Sequence, residues 1–399
     1  MKLFDHRFRR MRRYLGRQMQ ISRRGAIVVM SVTMVSIASI TVANEFLKNI
    51  SGHYRAVRAS ADGLRAREVA LAGFQASLQA LKTIPEEYLY RTGIVTSPKE
   101  RPLARSCVEN DPDNCEIYFV GFRILPEDGR LNLNSLVRYD DKPNESYRRI
   151  MANLFRNLDI PDDGGDPNEN VDAVIDWIDE NGFSEGVAAE SEYYSSLQPS
   201  RKIKNFRMFS LSELPQVRGF SYDLVYGSRA PEGWQERQEE LSFQTEDEIN
   251  LIQPEDWVLA NNVTAFLPYT ESTDDKVNVN AARYHVMLSL SDAMTREAAL
   301  AIFKYRTNQQ GYIKTISELK ELPELQIQGG IPDLTLYQEL AGTGGDISGL
   351  LKTEGEYYRV VGLGSVVRTS DNGSRILAER QVWGIWDKTN RRLIYYSED

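Results

Sequence analysis

The stretch RGAIVVMSVTMVSIASITVAN, residues 24–44, decides how the N-terminal part of this chain folds. Residues 26–44 carry no charged side chain. A helix of that length, rising about 1.5 Å per residue, nearly crosses a bilayer core of ~30 Å. Residues 1–24 contain nine basic side chains against one acidic residue, Asp5, and such a basic flank stays in the cytoplasm. The pattern predicts a single-pass anchor in the cell inner membrane, with the N-terminus cytoplasmic and the bulk of the chain periplasmic.

A cleaved secretory signal is the alternative for this segment. Residues 41–43 (TVA) would be an acceptable small-residue cleavage site, and residues 22–24 (SRR) weakly resemble a twin-arginine signal. However, apolar residues continue at steps of three and four from Leu47 to Leu81, which places them on one helix face. The periodicity predicts one helix over residues 26–82, ended by Pro85.

The composition argues against several classes of function. The chain has 399 residues and a net charge of −9, and beyond the basic N-terminus it is more acidic still. Such an acidic chain would repel a phosphate backbone, which argues against nucleic-acid binding. Its three histidines are far apart in sequence, although zinc sites and Ser-His-Asp triads depend on histidine. Since no nucleophile-elbow, Walker or dinucleotide-binding motif occurs, the sequence predicts a protein that is not an enzyme.

The chain has two cysteines, Cys107 and Cys115, on either side of the segment VENDPDN. In an oxidising compartment they could close a small disulfide loop, and two unpaired thiols are the alternative. Because the predicted membrane topology places both cysteines outside the cytoplasm, we expect the disulfide.

Strand patterns are confined to two parts of the chain. Residues 116–125, EIYFVGFRIL, are rich in β-branched and aromatic residues, as are residues 357–367, 376–386 and 391–396 near the C-terminus. Between the two parts, residues 128–350 have a mostly helical pattern. The predicted fold class is α+β: a long N-terminal helix packed on an antiparallel sheet, with a large, mainly helical insertion between sheet strands.

The insertion contains a faint internal repeat. The segment LNLN at residues 131–134 is followed by SEL at 212–214, and VNVN at 277–280 is followed by SEL at 317–319. Either this is one unit present twice, with the first copy longer, or it is a coincidence of common helix-capping residues. We favour the repeat, because the order of the segments and the apolar texture around them agree.

Acidic residues are densest in the longer copy. Asp172 and Asp176 are four residues apart and share a helix face, and Asp179 precedes a turn at Asn181-Gly182. Oxygen ligands on a turn without histidine or cysteine suit calcium, although the pattern is not an EF-hand. A solvated acidic loop is the alternative. Asp176 and Asp179 could also be imagined as the acid and base of a hydrolase, but nothing in the sequence indicates a substrate cleft.

Several of these stretches together resemble one protein family. A basic leader with Arg24-Gly25 directly before an apolar helix resembles the N-terminus of type IV pilins and pseudopilins. The residue pairs and motifs DWID (176–179), AE (189–190), YY (193–194) and KN (204–205) resemble the general secretion pathway protein K family, the largest minor pseudopilins of type II secretion. Segments 128–134 and 277–280 match the same family. Most pilins carry a glutamate where this chain has Met30, and members of the protein K family typically lack it.

The resemblance implies a processing site and a metal site. The prepilin peptidase of the family would cut between Gly25 and Ala26. The family binds calcium in the acidic region, which implies calcium as a cofactor with these ligands: Asp176, Asp179, Asn181, Glu190, Glu192 and Asn205. Asn181 stands where an acid is common, and Ser191 follows Glu190 where another acid is common. Both departures weaken the attraction for a cation and argue against a second ion.

The resemblance also implies the domain organisation. Residues 1–25 would be the leader peptide, and residues 26–82 the transmembrane and amphipathic stalk helix. Residues 83–127 and 351–399 would form a pilin-like α/β domain with an antiparallel sheet. Residues 128–350 would be an inserted helical domain containing two SAM-like or helix-hairpin-like repeats.

The function implied by the resemblance is that of a minor pseudopilin at the tip of the periplasmic pseudopilus, taking part in protein secretion across the outer membrane. The implied partners are the I-type and J-type minor pseudopilins, the major pseudopilin, the prepilin peptidase, the inner-membrane secretion platform and membrane lipid, with no nucleic acid. The alternative is a membrane-anchored periplasmic calcium-binding adaptor unrelated to filaments.

Overall fold

The computed structural model describes residues 2–91, 95–108, 111–161, 164–186, 191–230, 252–267, 276–308, 312–343, 349–370 and 373–398. The helices are α1 (Lys2–Thr83), α2 (Glu86–Arg91), α3 (Glu145–Asn157), α4 (Pro167–Ile178), α5 (Ser191–Ser196), α6 (Tyr222–Tyr226), α7 (Leu259–Asn262), α8 (Tyr284–Ser289), α9 (Arg296–Asn308) and α10 (Leu336–Ala341). The strands are β1 (Val95–Val108), β2 (Asp111–Pro126), β3 (Leu131–Asn132), β4 (Val263–Thr264), β5 (Val277–Asn278), β6 (Leu351–Lys352), β7 (Tyr357–Ser370), β8 (Gly373–Asp387) and β9 (Arg392–Glu398). The chain divides into two compact units, Met1–Arg65 and Ala66–Asp399.

The first unit consists of α1 up to Arg65. From Gly25 onward α1 is long and apolar enough to cross a membrane. The side chains of residues 25–60 are all exposed, including a long series of valine, isoleucine and methionine residues. The hydroxyls of Ser31, Thr33 and Thr41 donate to helix carbonyl oxygens three or four residues earlier, at 2.9 Å each. These hydroxyls are therefore satisfied within the helix itself, as an apolar environment requires.

The second unit is built on a five-stranded antiparallel sheet with the strand order β1-β2-β7-β8-β9. Strand β2 pairs with β7 across the whole insertion, so that Phe122 lies opposite Gly362. The α+β fold class, with its long N-terminal helix, antiparallel sheet and mainly helical insertion, is confirmed. The strands β2, β7, β8 and β9 contain or overlap the four segments in which the sequence predicted strands.

Strand β1 was missing from the prediction. Its sequence, VTSPKERPLARSCV, is polar and contains two prolines, so it shows no alternation of apolar and polar residues. It lies at the edge of the sheet and pairs only with β2 among the strands described. An edge strand tolerates proline, because the missing N–H group can face away from the ladder. Cys107 of β1 lies opposite Cys115 of β2, and the two form a disulfide.

The segment of α1 after Ala66 packs on this sheet at close range. A Cβ atom on Gly362 would overlap the backbone of Ala70 and Phe74, and one on Gly364 would overlap the backbone of Ala66 and Ala70. Glycines at these two positions of β7 therefore let the helix approach the strand directly. The core of this layer is formed by Ala70, Phe74, Leu81, Leu89, Ile124, Tyr358, Val360 and Val382.

The insertion contains two similar helical units around one continuous core. We call them copy one, from β3 to β4, and copy two, from β5 to β6. Each begins and ends with a short strand, and the two strands pair in parallel within each copy. Both copies also hold a capping box on a 3₁₀ helix, at Ser210 with Glu213 and at Thr315 with Glu318.

The copies differ in the connection that follows their second long helix. In copy one, residues 179–207 separate the end of α4 from Met208. In copy two, residues 309–312 separate the end of α9 from Ile313. The acidic segment thus lies in the extra length of copy one, where the sequence comparison of the copies had placed it.

Candidate functional site

The candidate site lies in the connection after α4, which we call the acidic loop (residues 179–207). Helix α4 is capped by Asp166, whose carboxylate accepts a hydrogen bond from the N–H of Asn168, and Pro167 lies in its first turn. Such a start fixes the helix register by capping and by the preset φ of proline. Asp176 and Asp179 consequently lie at the buried end of the helix.

Asp176 folds the loop back onto the helix. Its carboxylate is fully buried, accepting a hydrogen bond from the N–H of Glu185 at 2.8 Å and one from the hydroxyl of Ser184 at 3.1 Å. A buried carboxylate needs such donors, because desolvation without them is costly. Both oxygens of Asp176 therefore hold the loop, and its role as a metal ligand stays a prediction.

Three of the predicted ligands form a connected set. The Asp179 carboxylate accepts a hydrogen bond from Nδ2 of Asn181 at 2.7 Å. The backbone carbonyl of Asn181 accepts one from Nδ2 of Asn205 at 2.9 Å. Asn205 has a φ of 44°, in the left-handed region that asparagine tolerates better than most residues. The structure thus brings together residues from both ends of the acidic loop, 24 positions apart.

This set offers oxygen atoms suited to a hard cation. Oδ1 of Asn205 is buried and accepts no hydrogen bond from any described residue. An orphaned buried carbonyl oxygen is costly, and a cation would satisfy it. The carboxylate of Asp179 is 1% exposed and supplies the negative charge nearby. Carboxylate and amide oxygens are ligands that calcium accepts, so Asp179 and Asn205 fit that ion, whereas Oδ1 of Asn181 already accepts a hydrogen bond from the N–H of Phe183 at 2.8 Å.

The other predicted ligands are not joined to this set. Glu192 is exposed in the first turn of α5, and Glu190 falls outside the described residues. Across the described ranges, no group of three or more Asp, Glu, His or Cys side chains is placed to hold one metal ion. Calcium and its full ligand set therefore stay predictions.

The neighbouring Asp172 forms an ion pair with an arginine side chain. Its carboxylate lies 2.5 Å from the guanidinium of Arg148 on α3. Burial raises the pKa of Asp172, and Arg148 partly opposes that effect. Arg148 thus neutralises the first acid of the cluster, so the calcium prediction does not extend to this end of α4.

The predicted processing site lies within α1. Gly25 and Ala26 are exposed, and no atom lies within 4 Å of where a Cβ would stand on Gly25. The geometry leaves the glycine open to a peptidase, but cleavage itself stays a prediction.

Sequence reasoning missed the residues that join the insertion to the sheet. Glu127 is fully buried and forms a bidentate ion pair with Arg359, at 2.9 and 3.1 Å, and accepts a hydrogen bond from Thr264 at 2.7 Å. The sequence feature that could have revealed them is the pair of acids at 127–128. It directly follows an apolar strand, and carboxylates buried at the end of a strand need charged partners.

Comparisons with known proteins point to one family. The sequence model for type II secretion system protein K matches residues 129–227, which include Asn134 of copy one and the four motifs DWID, AE, YY and KN. A candidate type II secretion system protein K from Escherichia coli (strain K12) is 30% identical over 96 residues. The match spans 23% of this chain and 29% of that relative's length.

Among solved structures, the GspK-GspI-GspJ complex from the type 2 secretion system of enterotoxigenic Escherichia coli contains a similar chain. The TM-score is 0.46 and the sequence identity 12%, over 84% of this chain and 96% of that one. The likeness to the family lies in the matched segment 129–227, which contains both DWID and the GRLNLN stretch at residues 129–134. Through that segment, this chain is similar to the type II secretion system protein K family.

Proposed function

We propose that the protein is a minor pseudopilin that forms the tip of the periplasmic pseudopilus and takes part in secretion across the outer membrane. The observation that carries the proposal is the combination of a protein K segment with α1, whose apolar residues 26–44 are exposed along their whole length. Exposed apolar surface of this extent is stable in lipid and unfavourable in water. The helix is thus proposed to anchor the chain in the inner membrane, with its N-terminus cytoplasmic.

The packing of the inserted domain supports a role in assembly rather than in catalysis. The two copies enclose one apolar core, and buried polar side chains such as Asn134, Asp256 and Asn280 form ion pairs or hydrogen bonds within the fold. Such an arrangement supports a rigid structural domain rather than a catalytic cleft. We therefore expect the protein to work through assembly with the I-type and J-type minor pseudopilins, the major pseudopilin and the inner-membrane platform.

Calcium is proposed to stabilise the acidic loop. Asp179 and Asn205 would hold the ion, and the buried Oδ1 of Asn205 would gain the partner that it lacks among the described residues. The ion would add positive charge where a carboxylate and two amides meet. Its role would be structural, because the proposed ligands come from both ends of one loop and the ion would hold those ends together.

The assembly role can be tested by cross-linking in intact cells. A photoreactive p-benzoyl-phenylalanine at Val57, which is exposed on α1, should cross-link to two smaller membrane proteins that carry their own prepilin leaders. The same residue at Glu321, exposed in copy two, serves as the control and should not give these products.

A strain lacking the protein should accumulate the secreted proteins in its periplasm, and the wild-type gene should restore their export. If export is normal in that strain and Val57 gives no pilin-like cross-links, the protein is the calcium-binding adaptor of the alternative hypothesis.

A further inference from the structure

The insertion is connected to the sheet by two chain crossings that lie side by side. The chain leaves the sheet after Pro126 and returns to it at Tyr357. The N–H of Glu127 donates to the carbonyl of Tyr357 at 2.9 Å, which ties the two crossings together at the sheet. The next residue along, Asp128, makes the remaining contacts between them.

Asp128 contacts the return crossing and copy two at once. Its Oδ2 accepts a hydrogen bond from the N–H of Glu356 at 2.7 Å, and Nζ of Lys352 lies 3.5 Å away. Its backbone carbonyl accepts one from the N–H of Asn278 in β5 at 2.9 Å. Asp128 is only 2% exposed. One side chain and its own carbonyl therefore join three segments that are distant in sequence.

A buried hydrogen-bonded cluster next to Asp128 extends this junction to α2. The hydroxyl of Tyr90 lies 3.2 Å from that of Tyr358 and accepts a hydrogen bond from Nδ2 of Asn278 at 2.8 Å. The carboxylate of Glu86 accepts hydrogen bonds from the Tyr358 hydroxyl at 3.2 Å and from Lys388 at 2.8 Å. The helix α2, the sheet and copy two thus meet at one polar joint.

The ionised carboxylate of Asp128 has too few charged and hydrogen-bonding partners among the described residues. Lys352 is its nearest cation, but Lys352 also lies 3.8 Å from the carboxylate of Glu356. The other titratable groups facing the joint are Glu86, Lys388 and the tyrosines 90, 357 and 358, and Lys388 is paired with Glu86 at 2.8 Å rather than with Asp128. Oδ1 of Asp128 is buried and has no hydrogen-bond partner in the part of the chain that the structure describes. The ionised carboxylate is therefore only half paired.

We propose that Asp128 is a pH-responsive clasp that holds the inserted domain against the sheet, closing more tightly when its carboxyl group is protonated and loosening when it ionises. A neutral carboxyl avoids the desolvation of a half-paired charge and keeps an oxygen for the Glu356 N–H. An opened joint gives the ionised carboxylate access to water.

The direction of the effect follows from proton linkage. Burial raises the pKa of Asp128 from 3.8 to about 6 in the closed joint, against the lowering effect of Lys352. In an opened, hydrated joint the pKa returns toward its ordinary value, so the closed form binds more protons at mildly acidic pH. Opening therefore becomes easier as pH rises through this window, by about tenfold between pH 5.0 and 7.5, and levels off above it.

Hydrogen exchange of the full chain in detergent tests the clasp, because two backbone amides report its opening. After correction for the intrinsic exchange rate, the protection factors of the Glu356 and Asn278 amides should fall about tenfold from pH 5.0 to 7.5. The amide of Met208, which donates to Asn134 in copy one, should keep its protection. Asp128→Asn should abolish the pH dependence at Glu356 and Asn278, whereas Asp140→Asn at an exposed position should preserve it.

A second variant covers the case in which Asp128→Asn does not fold. Lys352→Met removes the facing cation, so the carboxyl group should ionise at higher pH and the fall in protection should exceed tenfold. Protection that is constant between the two pH values in the wild type overturns the proposal. A tenfold fall that persists in Asp128→Asn, or that is unchanged in Lys352→Met, overturns it as well.

Discussion

Asn134 and Asn280 make the same three hydrogen bonds in the two copies of the inserted domain. Nδ2 of Asn134 donates to two backbone carbonyls, of Met208 and Ala265, and its Oδ1 accepts from the N–H of Met208. Asn280 repeats this pattern with Ile313 twice and with Thr353 once.

In both copies the asparagine joins the start of the unit to the chain before its capping box and to the segment that follows its closing strand. The LNLN and VNVN segments are therefore each tied to the residues just before a capping box, and this arrangement occurs once in each copy.

Asn134→Ala and Asn280→Ala should each destabilise the inserted domain, because each leaves a buried N–H and two carbonyls without their partner. We expect a loss of roughly 2–4 kcal/mol in the free energy of unfolding for either variant, measured by urea denaturation. Asn308→Ala, at an exposed helical position, is the matched control and should change stability by less than about 0.5 kcal/mol. A clear loss for one of these two asparagines and none for the other would contradict the equivalence of the two copies.

Gly362→Ala should disrupt the contact of α1 with β7. The added methyl group would overlap the backbone of Ala70 and Phe74, and backbone atoms cannot move aside as a side chain can. We expect a loss of roughly 3 kcal/mol or more, measured by thermal unfolding of the full chain in detergent. Gly52→Ala, with no atom near its added Cβ, should leave stability unchanged or slightly higher. Equal melting temperatures for Gly362→Ala and the wild type would refute the close approach.

His285 should make the inserted domain sensitive to acid. Its ring lies 4.2 Å from that of Trp257 and 5.2 Å from that of Tyr284, centroid to centroid, and neither ring nitrogen has a hydrogen-bond partner among the described residues. Burial lowers the pKa of His285 from 6.5 to about 3. The folded chain therefore favours the neutral imidazole of His285. The stability of the inserted domain with a neutral, buried His285 is fully present above the unfolded pKa. It falls as pH drops below about 6.5, by up to tenfold in the unfolding equilibrium per pH unit.

His285→Phe should remove this contribution while keeping an aromatic ring in place. Urea denaturation at pH 7.5, 6.0 and 5.0 should show the variant losing less stability on acidification than the wild type. The exposed His53→Phe is the control and should follow the wild-type profile. Parallel profiles for wild type and His285→Phe would contradict the assignment.

Calcium should raise the melting temperature of the wild type if it binds the acidic loop. At free calcium 100 times the dissociation constant, linkage gives about 2.7 kcal/mol. Asp179→Ala removes a proposed ligand and a negative charge, so its melting temperature should be lower in calcium and should approach or exceed that of the wild type in a chelator. Glu321→Ala removes an exposed acid in copy two and should keep the full calcium response. A wild-type melting temperature that is identical in calcium and chelator would mean a solvated acidic loop.

Gly25→Leu should block removal of the leader, because a site shaped for glycine would not accept a larger side chain. Intact-mass measurement of membrane-extracted protein should then find the whole chain, whereas the wild type should begin at Ala26. Gly52→Leu, further along the same helix, should be processed normally. A mature N-terminus at Ala26 in the Gly25→Leu variant would rule out this site, and one after Ala43 in the wild type would indicate ordinary secretion.

The sequence by itself determined the elements whose signals are local. The charge-free run 26–44 and the three-four periodicity after Leu47 predicted α1 from Ala26 onward, although the helix begins already at Lys2, and β-branched, aromatic segments predicted four of the strands in the five-stranded sheet. The internal repeat was also visible, because Asn134, Asn280 and the capping boxes require particular residue types at particular spacings. Edge strand β1 escaped, since its prolines and charges are tolerated at an edge and conceal the alternation on which strand prediction rests.

Only the tertiary structure decided what each acidic residue does. Asp176, Asp179 and Glu192 look alike in the sequence, but Asp176 holds the loop backbone, Asp179 meets Asn181, and Glu192 is exposed. The partners of Asp128 at positions 278, 352 and 356 are likewise far from it along the chain. The physical reason is that desolvation and charge pairing depend on which distant segments the fold brings together, whereas helix and strand periodicity is set by neighbours along the chain.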